Sequence, residues 1–275
     1  MAIKEALSPS ATLDETRQFM LKHLRGIVPE SDIDAQAETV RAINQLKQEK
    51  NAVILGHNYM EAALYSMVTD HVGDSLQLSV VASKTNADII VFCGVWFMGE
   101  TAKILNPHRT VLVPSKDAGC SLAEGITVED IRALKNRFPG AVVVSYINTY
   151  ADAKTESDYC CTSGNADKVL NTLIASGHHR ILFLPDRYLA ANTAAKMGIP
   201  FLPSDADDRV FEAVPDDQPL VIGWHATCEV HELFTPEQVD AIRSEHPETV
   251  ILAHPECPPE VMAKVDISGS TKAMV

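Results

Sequence analysis

The sequence has no uncharged apolar run near the roughly 18 residues that a membrane helix requires. Its first thirty residues also lack the continuous apolar stretch of a secretory signal. Both absences predict a cytoplasmic protein with no membrane partner. Basic side chains are few and scattered: 23 Lys and Arg stand against 37 Asp and Glu, for a formal charge of -14. Without a positive stripe, nucleic acid and anionic membrane are excluded as partners. A small anionic ligand is not excluded, because helix N-termini and hydroxyls act locally inside an acidic protein. The six cysteines form no CxxC pair and no closely spaced Cys/His quartet, so zinc-finger and thioredoxin readings fail.

What is present is the composition of a globular protein. The chain of 275 residues is 46% hydrophobic, enough for one large or two to three small packed units. The first eleven residues are expected to carry no chemistry and to form a mobile leader.

Three segments read alike: NAVILGHNYM from Asn51, GAVVVSYINT from Gly140 and ETVILAHPEC from Glu248. Each is a β-branched run that breaks into a polar turn. Each follows an amphipathic stretch, AETVRAINQLKQ from Ala37, TVEDIRALKNRF from Thr127 and TPEQVDAIRSEH from Thr235, and the last two start on a threonine placed as an N-cap. A second apolar strand follows each, ending in small or hydroxyl residues that open a helix. Alternating strands and helices with near-continuous Val/Ile/Leu runs predict α/β architecture with parallel sheets covered on both faces, built as three similar αβα domains in a pseudo-threefold arrangement. The expected divisions are a leader over 1–36, domains over 37–122 and 123–230, and the start of an incomplete third over 231–275.

Ligands in such sheets gather at the carboxyl ends of strands. Aligning the repeats puts His57, Tyr146 and His254 at one position and Tyr59, Asn148 and Glu256 two residues on, where period-two spacing turns both members of a pair to the same side. A strand exit needs polar turn residues in any case; the recurrence over three repeats favours a shared site. Cys120 and Cys228 close matching pieces of the first two repeats, and the equivalent position of the third falls past Val275. Two such cysteines point to a metal centre with three thiolates and one open position, the third thiolate lying beyond this sequence. Cys257 sits at a strand exit and does not match the pattern; Cys93, Cys160 and Cys161 read as packing residues. The acidic, proline-containing stretch 199–220 reads as a solvated interdomain loop.

The motifs GHNY, GDSLQLS, FMGETAKIL, DAGCSL, SYINT, CTSGNA, PDRYL, GWHATCEVHELF, HPECPPEV and SGSTKAM, in this order, resemble the quinolinate synthase family over about Ala37 to Val275. The resemblance implies three αβα domains around a [4Fe-4S] cluster held by one cysteine from each, with the fourth iron open to substrate. The reaction implied is a transferase-type condensation of iminoaspartate (iminosuccinate) with dihydroxyacetone phosphate to quinolinate, with loss of phosphate and water, in de novo NAD biosynthesis. It also implies a functional link to an L-aspartate oxidase or dehydrogenase that supplies iminoaspartate.

Residue by residue, the resemblance assigns Cys120 and Cys228 as cluster ligands. Substrate contacts fall to His57 and Ser75, to Tyr146, Ile147, Asn148 and Ser163, and to His254, Pro255, Glu256 and Thr271. Glu256, Tyr59 and His57 are the expected proton shuttles, while Ser163 and Thr271 offer hydroxyls at helix starts. Without the resemblance, Ser75 and Thr271 would also read as ordinary helix caps, a reading the resemblance makes the minor one. With the third cysteine absent, the 275-residue chain alone is expected to be inactive. The competing readings are a zinc-dependent lyase or aldolase and a metal-free binding scaffold.

Overall fold

Three helices begin on the same reciprocal device. Thr12, Thr127 and Thr235 each accept the backbone N–H three residues on, at 3.3, 3.2 and 3.4 Å, while Glu15, Asp130 and Gln238 reach back to the threonine N–H. Two otherwise orphaned donors are satisfied at each start. The Thr127 and Thr235 caps fall where the sequence places them.

The computed structural model describes residues 7–274, which fall into two compact units, one ending at Ala118 and the other beginning at Gly119. The unit boundary leaves Cys120 in the second unit, not with the strands of the first.

In the first unit the order is α1 (Leu13–Leu24), α2 (Glu30–Glu49), β1 (Ala52–His57), α3 (Ala62–Met67), β2 (His71–Gly73), α4 (Ser75–Lys84), β3 (Ile89–Cys93), α5 (Trp96–Leu105) and β4 (Thr110–Leu112). The strands form one parallel sheet in the order β2-β1-β3-β4. Helix α2 starts well before Ala37 and buries Ile33, Ala37, Val40 and Asn44 along one stripe. The leader expectation fails from Leu13 onward: Met20 and Leu24 of α1 are fully buried against that stripe, β1 and Met67. Residues 1–6 of the expected leader lie outside the described residues. Gly56 of β1 is required sterically, since a Cβ there would lie 2.4 Å from Cγ2 of Thr69.

The second unit runs α6 (Ser121–Glu124), α7 (Val128–Arg137), β5 (Val142–Tyr146), α8 (Ala151–Lys154), β6 (Tyr159–Cys161), α9 (Ala166–Ala175), β7 (Arg180–Leu184), α10 (Arg187–Met197), β8 (Phe201–Pro203), α11 (Asp208–Glu212), β9 (Leu220–Gly223), a 3-10 turn (His231–Leu233), α12 (Pro236–Glu245), β10 (Leu252–Ala253), α13 (Pro259–Met262), β11 (Ile267–Ser268) and α14 (Thr271–Met274). A five-stranded parallel sheet has the order β6-β5-β7-β9-β8. Its inner strands β5, β7 and β9 are buried on both faces, as their Val/Ile/Leu-rich runs require. Val142, Val144, Ile181, Phe183 and Val221 pack with Leu170, Leu189 and Ala190 on one side. Val143, Leu182, Leu184, Leu220 and Ile222 pack with Ile131, Leu134 and Ala153 on the other.

Two sequence expectations are corrected here. The stretch 199–220 is not an interdomain loop: it contributes the edge strand β8, paired in register with β9 from Phe201↔Val221, and helix α11. Cys160 is exposed on the edge strand β6 rather than packed, unlike Cys93 and Cys161.

The repeat is physical as well as textual. Asp70, Asp158 and Asp266 each accept the N–H of a first-strand residue through Oδ2, from Ile54, Val143 and Ile251, all at 2.8 Å. Each aspartate also donates its own N–H to the carbonyl of that same residue, at 2.8, 2.9 and 3.0 Å. The clamped residues stand three before His57, Tyr146 and His254, so the sequence alignment of those three positions matches their local structure. Five residues after the aspartates stand Ser75, Ser163 and Thr271. Among the described residues no helix is long and apolar enough to cross a membrane.

Candidate active site and metal-ligand set

In the first unit, His57 ends β1, buried at 8% exposure, and its Nδ1 has no hydrogen-bond partner. Burial holds its imidazole down at about 4, against a smaller opposing pull from Asp74. Tyr59 stacks on it with ring centroids 3.9 Å apart and directs its hydroxyl to the Met98 sulfur. Ser75 is the first residue of α4, not its cap; Asp74 caps, accepting from the Gln77 N–H at 2.8 Å.

The second unit assembles a cluster around Glu256. The exit of β10 turns sharply, with the Cys257 N–H donating to the His254 carbonyl at 3.0 Å. Asn192 of α10 donates to the carbonyls of Pro255 and Cys257, at 2.8 and 2.9 Å, and holds the turn against that helix. Glu256 is thereby only 3% exposed. Its Oε2 lies 3.1 Å from His231 Nδ1 and 3.2 Å from His254 Nδ1, while its Oε1 is buried without a hydrogen-bond partner. The two imidazoles are stacked, with centroids 5.2 Å apart. His254 Nε2 meets Ser163 Oγ at 2.9 Å, and the Glu256 N–H approaches His254 Nδ1 at 3.4 Å. The His254 Nδ1 can donate to the Glu256 carboxylate or accept from its amide N–H, according to the tautomer of the ring.

Around this carboxylate the acidic groups are pushed toward their protonated forms. Tyr146, which ends β5, is raised well above the usual phenol range by burial first and by Glu256 next. Asp186, the cap of α10, is fully buried and raised strongly for the same two reasons. His231 is lowered by burial, against the pull of Glu256. Ile147 donates its N–H to the Cys161 carbonyl at 2.9 Å, and Asn148 is half-buried beside it. Thr271 opens the short helix α14. A cavity of about 540 Å³ borders Ser163 and Pro255 and is also lined by Asn192, Lys196, Met262 and Ser268.

Cys120 caps α6 and Cys228 precedes the 3-10 turn, both half-buried against the same apolar core. Their two loops are packed on each other. Trp224 Nε1 donates to the Gly125 carbonyl at 2.7 Å, and a Cβ on Gly125 would lie 2.7 Å from Cβ of Ala226. Burial raises the Cys120 thiol, opposed by the backbone N–H groups of Ala123 and Leu122. Burial and then Glu256 push Cys228 up to about 11, opposed by the N–H groups of His231 and Val230. Half-buried thiols facing backbone donors suit a soft metal group, whose sulfur ligands such donors stabilise. Cys257 packs with Val239 and Val261 instead.

Two members of this cluster lie outside the sequence assignment. His231 had a usable signal in its spacing, since three residues after Cys228 on a single turn puts both side chains on one side. Asp186 had only its place after an apolar strand and before a helix, a position common to ordinary N-caps.

A family model described as quinolinate synthetase A protein matches residues 41–275. Quinolinate synthase 2 of Mesorhizobium japonicum is 46% identical over 264 residues, covering 96% of this chain and 74% of its own. The quinolinate synthase of Agrobacterium fabrum is 46% identical over 248 residues, covering 90% and 65%, and that of Xylella fastidiosa is 47% identical over 235 residues, covering 86% and 62%. The present chain thus spans about two thirds to three quarters of the length of these relatives. With the matched region taking in every strand exit described above, the chain belongs to the quinolinate synthetase A family.

Proposed function

We propose that the protein acts as a quinolinate synthase, joining iminosuccinate to dihydroxyacetone phosphate with release of phosphate and two waters. Carbon, nitrogen and electrons balance without an external oxidant. The observation that carries this reading is the buried Glu256 carboxylate, with an imidazole on either flank and the Cys228 thiol beside it. Condensation followed by dehydrations needs a group that takes and returns protons repeatedly. Glu256 does so, and His254 relays each proton toward the Ser163 hydroxyl through its second ring nitrogen. Burial and the neighbouring Glu256 push Tyr146 and Asp186 toward their protonated forms, the forms in which each can donate a hydrogen bond.

Cys120 and Cys228 would hold a [4Fe-4S] cluster, a fit supported by their half-buried thiols, their backbone donors and their packed loops. When bound, that group supplies Lewis-acid polarisation of a substrate oxygen at an open iron. Ser163 and Asn148 are assigned to substrate contact, with Thr271 as the third-repeat counterpart of Ser163. His57, Tyr59 and Ser75 are assigned the corresponding roles of the first repeat. The three repeats are read as three αβα modules in pseudo-threefold arrangement, and iminosuccinate, which hydrolyses readily, as the product of an aspartate-oxidising enzyme that supplies it.

Anaerobic reconstitution with iron and sulfide, followed by assay of quinolinate formation, tests the reading. Glu256→Gln is expected to retain iron uptake and lose turnover by at least about 10²-fold, the usual scale of a positioned acid-base group. Loss of iron uptake in that variant, or undiminished turnover, would refute the role given to Glu256.

A further inference from the structure

The turns that carry Cys120 and Cys228 are built alike. In CSLAE from Cys120 and CEVHE from Cys228 a glutamate stands four residues after the cysteine. Its N–H donates to the cysteine carbonyl, Glu124 to Cys120 and Glu232 to Cys228, both at 3.0 Å. One turn of backbone is thereby closed, and the N–H groups two and three residues after the cysteine face its thiol, those of Leu122 and Ala123 in one case and of Val230 and His231 in the other. Neither turn grows into a long helix: α6 has four residues and the 3-10 turn three. Segments this short do not hold themselves closed in water.

Both are held from outside by a tyrosine. Tyr150, the residue before α8, donates its hydroxyl to Glu124 Oε1 at 3.1 Å, and Tyr188 of α10 donates to Glu232 Oε1 at 3.3 Å. The start of α10 is set beside the Cys228 loop by the Arg187 N–H, which donates to the Ala226 carbonyl at 2.8 Å. At the first turn the backbone leaves room for the contact, since a Cβ on Gly119 would lie 2.6 Å from Glu124 Oε1 and 3.8 Å from the Tyr150 hydroxyl. We propose that Tyr150 and Tyr188 are positioning residues for the two cysteines: each holds the glutamate of a C-x-x-x-E turn, keeps that turn closed and so keeps two backbone N–H groups aimed at the sulfur. The closure stands on geometry alone. Its consequence, retention of the metal group, rests on the cluster reading.

Rapid-quench hydrogen–deuterium exchange of the metal-free protein, read peptide by peptide, tests the closure. Tyr150→Phe should speed exchange of the amides over 122–124 about three- to tenfold and leave those over 230–232 unchanged, and Tyr188→Phe should do the reverse, with melting temperatures retained. Glu124→Gln keeps an acceptor oxygen for the phenol and should exchange like the natural protein. Glu124→Ala should match Tyr150→Phe and add nothing to it in the double variant. Unchanged exchange in either tyrosine variant, equal acceleration of both turns, or Glu124→Gln behaving as Glu124→Ala would overturn the proposal. Anaerobic reconstitution with iron and sulfide then tests the consequence. Each tyrosine variant should lose iron to a chelator at least about threefold faster than the natural protein, with Glu124→Gln at the natural rate. Equal loss would overturn the positioning role. Failure of the natural protein itself to take up iron would remove the cluster reading and the retention role with it, while the closed turns stand on the exchange result.

Discussion

Replacing Asp158 by alanine removes one of the three aspartate clamps at its most buried position. Val143 is fully buried, and its N–H has Asp158 Oδ2 as acceptor at 2.8 Å. Without the carboxylate that donor has no water to turn to, and an unsatisfied buried N–H costs about 1–3 kcal/mol. For a folding unit of this size, each kcal/mol lowers the melting temperature by about 2–4 °C, so a loss of roughly 2–12 °C is expected. Thermal melts followed by circular dichroism and by tryptophan fluorescence provide the assay. Asp158→Asn keeps an acceptor oxygen and should recover most of the loss. The same change at Asp266 should cost less, because Ile251 is only half-buried and water can replace the lost partner. Asp70→Ala should cost at least as much as Asp158→Ala, since Asp70 also receives Lys47 Nζ at 2.8 Å. A neutral Asp158→Ala, or an Asp266→Ala that costs as much, would refute the assignment of the stabilisation to the buried donor.

His57 is held neutral by burial, so its folded value near 4 lies below the unfolded value of 6.5; the stabilisation is fully present above about pH 6.5 and is lost as pH falls toward 4, by about 3 kcal/mol from a shift of this size. Urea midpoints measured across that range should slope in the natural protein and flatten in His57→Gln, and parallel slopes would refute the claim. Gly125→Val should drive the Cys120 turn away from Ala226 and reduce iron incorporation several-fold while the circular dichroism spectrum is retained; unchanged incorporation would mean that the packing of these two loops does not position the cysteines.

The α/β class was legible because strands buried on both faces must be written almost entirely in Val, Ile and Leu, as VVVSY and RILFL are. The repeat was legible for the same reason, and threonine caps marked two of its helices. The clamp was not, because an aspartate before a short edge strand reads as a turn residue until its partner N–H is known. Strand β8 was hidden by composition: it is three residues long, ends in proline and sits at an edge, where partial burial demands no apolar run. Residues 13–24 were misread as leader because their buried face has only Met20, Leu21 and Leu24 as large apolar residues, with Thr16 completing it.

The third strand exit differs from the other two through a single residue. After His57 and Tyr146, the next residues Asn58 and Ile147 donate their N–H to the neighbouring strand, at the Gly73 and Cys161 carbonyls, and so prolong the ladder. After His254 stands Pro255, which has no N–H to give. The chain leaves the ladder at once, turns back on the His254 carbonyl and is held there by Asn192. The residue two beyond the strand end is consequently placed differently in each repeat. Tyr59 is 54% exposed and Asn148 half-buried, while Glu256 is buried at 3% between two histidines. One shared backbone plan therefore yields one buried acid rather than three equivalent polar groups, and the proline that ends the ladder is the residue that sets the difference.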